Sequence, residues 1–459
     1  MATTKHRYKI SDLLIIWIPF ISFVVFFAII NHMIGTEVAP AAMLDLLTVK
    51  TSGFTFADNL LTFLSSFCVL VFLFYKARKD NNFKIIFVAY LIRYLVLYVG
   101  TYRWFYLLFN DLDSYGFNEH SIYNMQAGSI NDFYGGWYTP IISVLYILVG
   151  PFVLSAGYMN VLFFTDIIIL MNYVMSKMEV SRRTAQIALL LFAIQPICIT
   201  LSSILLRDML LQLCIFFSCM LFLKWMNTNR IRYMLLACLV MFPAFKMHAG
   251  TVVLVFAYPF AFFMYSHIKG IVKKDSKTLG TVGSFCLISG VIGSALLLTN
   301  SLGEEVGARF WGTITGTSTI VAVSYSGDAG SGYLKCFTGV TGFWQTLLIT
   351  PLLLFYFCFS PMPWNMRGLG DMIAFFGDAI IYIYLFYVIF KKKKFLDKYR
   401  LHLVNYLLLS VLLVYTFFGL GTYTSGTAMR HRCKCYSVLL LCYAVCQKDK
   451  KSGKKSIGN

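Results

Sequence analysis

The sequence is poor in charged residues, and acidic residues are the scarcest. Asp and Glu together number 20 in 459 residues, and charged residues of both signs make up 13% of the chain. A soluble domain usually carries about 25%. The shortage of charge excludes an ordinary water-soluble domain, because too few polar side chains are present to cover its surface.

The sequence also lacks cysteine motifs. Its 12 cysteines include no CxxC pair and no Cys/His spacing typical of a metal site, and "CKC" at 433–435 is the nearest approach. Most of the others lie inside apolar segments, where they serve as small apolar residues. The cysteines therefore do not indicate a disulfide framework.

Apolar residues are abundant, at 59% of the chain. Many windows of about 16 to 24 residues are almost free of charge, as membrane-spanning helices require. The sequence predicts an all-α, polytopic transmembrane helical bundle with about twelve spans, within a range of 10 to 14. Two further segments, 138–155 and 345–359, could be interfacial or re-entrant. The predicted spans are 12–34, 60–75, 85–109, 158–176, 184–203, 208–223, 233–247, 250–267, 278–300, 372–390, 401–423 and 434–447.

The net charge of +19 is explained by membrane topology. Of the 39 Lys and Arg residues, 28 lie in seven clusters between apolar segments or at a terminus. This positive-inside pattern predicts that the clusters and both termini are in the cytoplasm, next to anionic lipid, and it argues against nucleic-acid binding. We expect one integral membrane domain, 1–459. Its expected parts are an external acidic loop plus interfacial helix at 110–157, a long external loop at 301–371 with a segment that could re-enter the membrane, and a basic cytoplasmic tail at 448–459.

The first polar segment on the predicted external side, "NDLDSYGFNEH" at 110–120, carries the candidate catalytic residues Asp111 and Asp113. One interpretation is a solvated loop whose acids cap the following helix. The other is that one Asp faces a cleft and takes a proton from an acceptor hydroxyl. Asp-x-Asp also resembles a metal-binding pair, which leaves a divalent cation open without specifying one. The segment is dense in side chains suited to sugar contacts, and the candidates for acceptor binding are Tyr115, Glu119, His120, Trp137 and Tyr138.

Cations recur in the other predicted external turns. Arg207 precedes Asp208 between two spans, and the pair is either a mutual ion pair or places a guanidinium where it binds a lipid phosphate. "RHR" at 430–432 lies on the side that positive-inside statistics disfavour. Arg430, His431 and Arg432 therefore either snorkel toward headgroups or bind a lipid phosphate or pyrophosphate.

Two further sites carry charge near or inside the predicted spans. Lys246 and His248 form either a polar hinge or a second part of the phosphate site. Arg93 lies inside a span, where an Arg costs about 2.5–3.5 kcal/mol on insertion scales and so needs a buried partner. Asp166, also within a span, is the candidate partner.

The order of these features resembles the polytopic glycosyltransferases of the GT-C type and related multispan proteins of bacterial polysaccharide clusters. Over residues 100–230, the acidic loop is followed by "YTPIISVLYILVG" at 138–150, which looks like the family's interfacial segment. A basic turn at 177–183 and the Pro-containing "QPICITLSSILLRDMLLQ" at 195–212 come next. The chain has one proline where the family often has two, and two extra spans precede its acidic loop.

The resemblance implies transfer of a sugar from a polyprenyl-phosphate or pyrophosphate donor to an acceptor glycan or lipid at the external face. A base from the acidic loop and cations at the phosphate would do this work, in a cleft on that face. A Wzy-type polymerase that transfers whole oligosaccharide blocks would use the same lipid carrier. An alternative of a different class is a flippase or transporter, although the sequence shows no convincing internal repeat of the kind transporters carry.

Overall fold

A computed structural model describes residues 11–34, 53–101, 112–228, 230–248, 343–420 and 424–447, together with 251, 254, 332 and 422. These residues form helices and short connections, with one isolated β-bridge between Gly332 and Thr424 and no strand in the described part. The predicted all-α class is therefore confirmed. The helices are α1 Ser11–Ile34, α2 Gly53–Lys79, α3 Asn81–Thr101, α4 Leu112–Gln126, α5 Tyr138–Val149, α6 Val153–Lys177, α7 Arg182–Ile194, α8 Pro196–Leu201, α9 Asp208–Thr228, α10 Ile231–Met247, α11 Phe343–Phe359, α12 Leu369–Ala374, α13 Ile380–Lys393, α14 Lys398–Leu420, α15 Ser425–Cys433 and α16 Tyr436–Cys446.

Seven stretches of the described residues are long and apolar enough to cross a membrane. Their surfaces carry large apolar side chains such as Leu14, Phe63 and Leu95, each more than half exposed. Such surfaces are expected where a helix faces lipid. The chain is therefore a multi-pass membrane protein. The seven stretches are Ser11–Met33, Phe56–Lys79, Asn81–Thr101, Val153–Lys177, Asp208–Thr228, Leu369–Lys393 and Tyr399–Gly419.

The predicted count of twelve spans is not confirmed, and it differs from the structure in three ways. Helices α10 and α16, at 17 and 11 residues, are shorter than a typical crossing helix. The predicted span 184–203 is broken between α7 and α8, because Pro196 has no N–H to continue the helix and Gln195 before it is extended. The predicted spans 250–267 and 278–300 lie outside the described residues, apart from the single positions 251 and 254.

The chain divides into two compact units. The first unit comprises residues 1–213 and 443–459, and α6 lies at its centre, packed against α1, α2, α3 and α7. Nearly every residue of α6 is buried. Its polar side chains are therefore paired within the helix bundle, as when Asn172 Oδ1 accepts a hydrogen bond from Asn82 Nδ2 at 2.8 Å.

The start of α6 is separated from α5 by a sharp break. Gly150 has φ +97° and Pro151 follows it, so the backbone turns between two helices that could otherwise be continuous. The first N–H groups of a helix have no partner within it. Here the Asp58 carboxylate of α2 accepts hydrogen bonds from the backbone N–H groups of Leu154 and Ser155, both at 2.8 Å.

Arg93 is fully buried in α3, and the predicted pairing with Asp166 is wrong. Its guanidinium carbon lies 3.4 Å from the ring centroid of Phe164 and its Nη2 donates to the carbonyl of Phe192 at 3.4 Å. That carbonyl is in the last turn of α7, where the carbonyl groups have no N–H partner within the helix. Asp166 instead accepts a hydrogen bond from Trp17 Nε1 at 2.6 Å. Arg93 therefore stabilises a broken helix end.

The second unit comprises residues 214–442. In it α11 packs against α13, α14 and α15. A π-helical turn, Phe375–Ala379, joins α12 to α13 so that the stretch Leu369–Lys393 runs on as one span. Such turns are rare and often mark a functional or structural constraint; here the turn contains the buried Asp378.

Candidate functional site

The polar segment at 112–137 folds back on α5 as a helical hairpin in the first unit. Helix α4 has little apolar content, and it buries only the face that carries Phe117, Asn118, Ser121 and Asn124 against α5. Helix α5 is 12 residues long, or about 18 Å at 1.5 Å per residue. It is therefore too short to cross a hydrocarbon core of about 30 Å. The hairpin thus keeps a polar surface on the side of α4 that faces away from α5.

Asn124 fixes the loop of this hairpin from inside. Its side chain is fully buried, and Oδ1 accepts from the backbone N–H groups of Asn131 at 3.2 Å and Asp132 at 2.9 Å. Its Nδ2 donates to the Asp132 carbonyl at 2.9 Å and to Ser143 Oγ at 3.0 Å. One amide therefore uses both donors and its acceptor to hold the loop on α5.

The loop places Asp132 against His120 of α4. Asp132 Oδ2 lies 2.5 Å from His120 Nδ1, and Asp132 Oδ1 accepts from the backbone N–H of Tyr134 at 2.9 Å. The imidazole stacks on the Tyr134 ring, with centroids 4.3 Å apart and planes at 2°. Both side chains of the pair keep access to solvent, at 37% for His120 and 25% for Asp132. Asp132 and Tyr134 therefore hold the His120 imidazole in one orientation at the surface.

Arg207, predicted to bind a lipid phosphate, lies against the same hairpin. Its Nη1 donates to the carbonyl of Gly135 at 2.5 Å, and its guanidinium is 5.7 Å from the Phe117 ring. Gly135 has φ +61°, and a Cβ there would lie 2.3 Å from the Phe117 ring. Only glycine therefore lets the loop approach α4 this closely. Asp208 is the buried first residue of α9, where a carboxylate interacts favourably with the helix dipole.

The remaining predicted residues of this segment lie in different environments. Asp113 is in the first turn of α4, and His120 follows it two turns later, at a spacing of seven residues that puts both on one helix face. Tyr115 and Trp137 are exposed, at 39% and 38%. Glu119 is exposed as well, whereas Asp111 lies outside the described residues.

Tyr138, predicted to contact a sugar, is fully buried in the first unit. Its hydroxyl is within 3.1 Å of Asn160 Nδ2, and Asn160 also donates to the carbonyl of Leu206 at 2.8 Å. Burial raises the pKa of Tyr138 above its ordinary value, so the phenol stays protonated. Tyr138 and Asn160 therefore connect α5 and α6 to the turn before Arg207.

In the second unit, His248 and His431 come together around Phe418. Their ring centroids are 5.1 Å apart, and each lies 4.7 Å from the Phe418 ring. Lys434 Nζ is 2.6 Å from His431 Nδ1 and 4.6 Å from the same Phe418 ring. Lys434 is almost fully buried, so this basic cluster continues below the surface. Lys434 is not among the cations that the sequence pattern indicated.

The other predicted cations of this unit differ in burial. Arg430 and Lys246 are half-buried, and Lys246 Nζ lies 5.7 Å from the Phe245 ring. Arg432 is fully buried and forms an ion pair with Asp378. Its Nη1 also donates to the carbonyls of Phe357 at 3.2 Å and Ser360 at 2.6 Å. The described geometry therefore gives Arg432 an internal anionic partner.

Asp132 and Asp378 are the acidic residues whose roles the sequence did not indicate. The 12-residue separation of Asp132 from His120 matches no motif. Asp378 pairs with an arginine 54 residues away, which single-sequence patterns cannot reveal. Among the described residues no group of three or more His, Cys, Asp or Glu side chains is arranged to hold a metal ion. Comparison of the chain with models of protein families, with curated proteins and with solved structures gives no match.

Proposed function

We propose that this chain is a glycosyltransferase of the bacterial cell membrane. It transfers a sugar from a polyprenyl-phosphate-linked donor to an acceptor glycan or lipid on the external face, with both termini in the cytoplasm, during assembly of cell-surface polysaccharide. The observation that supports this function best is the α4–α5 hairpin. It holds candidate proton acceptors, and it contacts the guanidinium of Arg207, which directly precedes the membrane-crossing helix α9.

The proposed chemistry is a displacement at the anomeric carbon. The acceptor oxygen forms the new bond to that carbon as the bond to the phosphate oxygen breaks, and the electron pair leaves on the phosphate. A group of the hairpin takes the acceptor's proton; the sequence candidates are Asp111 and Asp113, and the structure adds His120. Exposed side chains of the segment, Tyr115 and Trp137 among them, contact the sugars.

Cations stabilise the leaving phosphate as its negative charge grows. Arg207 has this role in the first unit, where its guanidinium fork suits an oxyanion. In the second unit we assign lipid-phosphate contacts to Lys246, His248, Arg430 and His431. Arg432 is left to position helices, because Asp378 already neutralises it. Whether a divalent cation assists is decided by running the assay with and without a chelator.

The direct test is transfer by the purified full chain in proteoliposomes. Donors are labelled polyprenyl-phosphate monosaccharides and, separately, polyprenyl-pyrophosphate oligosaccharides, each with an acceptor glycan. Extension by single sugars supports the proposal, whereas extension only by whole blocks identifies a polymerase. Movement of a lipid-linked glycan between leaflets with no extension overturns the enzyme assignment.

Arg207→Ala tests the role of the guanidinium within that assay. We expect a higher donor KM because a charge-assisted contact to phosphate, of about 1.5–3 kcal/mol, is lost. Arg207→Lys separates charge from the hydrogen bond to Gly135. Arg182→Ala is the matched control, since its side chain is 63% exposed and lies at the predicted cytoplasmic end. Equal KM values for all four proteins would remove Arg207 from the site.

The predicted cleft on the external face stays a prediction, and labelling tests the sidedness it requires. Glu119→Cys and Thr427→Cys place thiols at two exposed positions, one in the acidic segment and one just before Arg430. In intact cells both should react with a membrane-impermeant maleimide, against the wild-type chain as background. Reaction from opposite faces would show that the two segments do not serve one external reaction.

A further inference from the structure

We propose that His120, oriented by Asp132, is the proton acceptor of the transfer reaction, the role for which the sequence suggests Asp111 or Asp113. This inference rests on the proposed function and names the base within that same site. It starts from the geometry of the pair: Asp132 Oδ2 lies 2.5 Å from His120 Nδ1, and the imidazole is stacked flat on Tyr134.

The pair is not needed to hold the loop. Asn124 already fixes that loop through four hydrogen bonds from a fully buried position. A contact between side chains that are 37% and 25% exposed adds little to stability, about 0–1 kcal/mol even when both groups are charged. What the contact does determine is the orientation of the ring and the position of its proton.

The geometry specifies one tautomer of His120. A carboxylate accepts, so the nitrogen next to Asp132 carries a hydrogen, and in the neutral ring Nε2 presents its lone pair. Among the described residues Nε2 makes no hydrogen bond. A neutral imidazole held by a carboxylate at one nitrogen and open at the other is the arrangement that accepts a proton from a hydroxyl.

The surroundings of His120 suit a sugar reaction. Tyr134 lies 4.3 Å from the imidazole and 5.5 Å from Phe117, over which Arg207 lies at 5.7 Å. Contacts through two aromatic rings, Tyr134 and Phe117, therefore connect His120 to Arg207. A displacement at an anomeric carbon needs its base and its phosphate-binding cation at separate positions, because the nucleophile and the leaving group are on opposite sides of that carbon.

The balanced step follows from these positions. Nε2 of His120 takes the proton of the acceptor hydroxyl while the acceptor oxygen bonds to the anomeric carbon and the phosphate leaves with the electron pair. The resulting imidazolium is stabilised by the Asp132 carboxylate, which does not itself take the proton. The proton returns to solvent after the product leaves. Asp132 is a positioning residue and His120 is the catalytic one.

The kinetic test compares His120→Gln, Asp132→Asn and Asp113→Asn with the wild-type chain in the proteoliposome assay. We expect His120→Gln to lower kcat by about 10²–10⁴-fold with donor KM within about threefold, because a base acts in the transition state. Asp132→Asn should lower kcat at unchanged KM, and Asp113→Asn should keep kcat within about tenfold. His402→Gln, on α14, is the matched control and should behave as wild type.

A spectroscopic readout keeps the test independent of activity. In the full chain labelled with ¹⁵N-histidine, Nδ1 of His120 should carry a hydrogen that is bonded to Asp132, and Asp132→Asn should change the signal of that nitrogen. The sequence has seven histidines, so His120→Gln assigns the signal. Should His120→Gln not fold, Asp132→Asn assigns it by the change.

Each result has one meaning. Full activity in His120→Gln with loss in Asp113→Asn, or a His120 tautomer protonated at Nε2, overturns the inference and leaves the proposed function standing. A wild-type chain that transfers no sugar from any donor overturns the proposed function instead.

Discussion

Asp378→Asn should destabilise the second unit strongly, because it removes the charge that neutralises a buried arginine. Arg432 is fully buried and Asp378 is 1% exposed. Removing one partner of a buried ion pair costs about 3–5 kcal/mol. Arg432 keeps its hydrogen bonds to two backbone carbonyls, and asparagine still offers an oxygen acceptor. We therefore expect the lower end, about 3 kcal/mol, or roughly a hundredfold in the ratio of folded to unfolded protein.

The assay is equilibrium unfolding of the purified chain in dodecyl maltoside micelles by added dodecyl sulfate. Asp371→Asn is the matched control, since Asp371 belongs to the same stretch, Leu369–Lys393, and pairs with Arg367, whose side chain is 52% exposed. Its loss should be within about 1 kcal/mol. The double variant Asp378→Asn/Arg432→Met should lose less than the sum of its single changes, by about 0.5–3 kcal/mol, because no unpaired charge remains buried.

Equal unfolding free energies for Asp378→Asn and Asp371→Asn would refute this reasoning. Strict additivity in the double variant would do the same, since it would mean that the two side chains stabilise the unit independently. Either result would return Arg432 to the group of cations available to a lipid phosphate.

Three further outcomes are expected in the first unit. Gly135→Ala should destabilise the hairpin by about 1–3 kcal/mol and lower transfer, because its Cβ would overlap Phe117. Gly128 also has a positive φ but has open space around it, so Gly128→Ala should show only the cost of the backbone conformation. Thermal unfolding of the two variants measures the difference. Asn124→Ala should raise amide hydrogen exchange across 129–138, since four hydrogen bonds to a buried side chain disappear, and unchanged exchange would show that other contacts hold the loop. Arg93→Met should lower the unfolding free energy by about 1–3 kcal/mol through the lost hydrogen bonds to buried carbonyls, and a neutral effect would remove its role at the end of α7.

The helical class and most of the crossing helices could be predicted from composition and charge. Runs without charge, bounded by basic clusters, determine where a chain can cross lipid, and such runs correspond to α1, α2, α3, α6 and α9. The breaks were harder to predict. Pro196 interrupts a run that hydropathy scores as continuous, and nothing local in the sequence shows that Arg93 provides hydrogen bonds at the end of the preceding helix.

The sequence indicated which segment could carry a site, but not which of its residues contact each other. The density of polar groups at 110–137 indicated a functional segment, but the pairing of His120 with Asp132 depends on how the loop folds back, which Asn124 determines from the interior. Tyr138 shows the same limit. Its residue type suits a sugar contact, yet the start of an apolar helix places it in the core.

The hydrogen bonds between Asp58 and the first turn of α6 have a consequence for the order in which the helices assemble. A ribosome releases α2 well before α6, so the carboxylate that receives the amides of Leu154 and Ser155 is already in the bilayer when the later helix arrives. Until α6 arrives, the Asp58 carboxylate and the two amides lack these hydrogen bonds. The order of synthesis therefore places α2 first, and α6 then docks on it through its N-terminal turn.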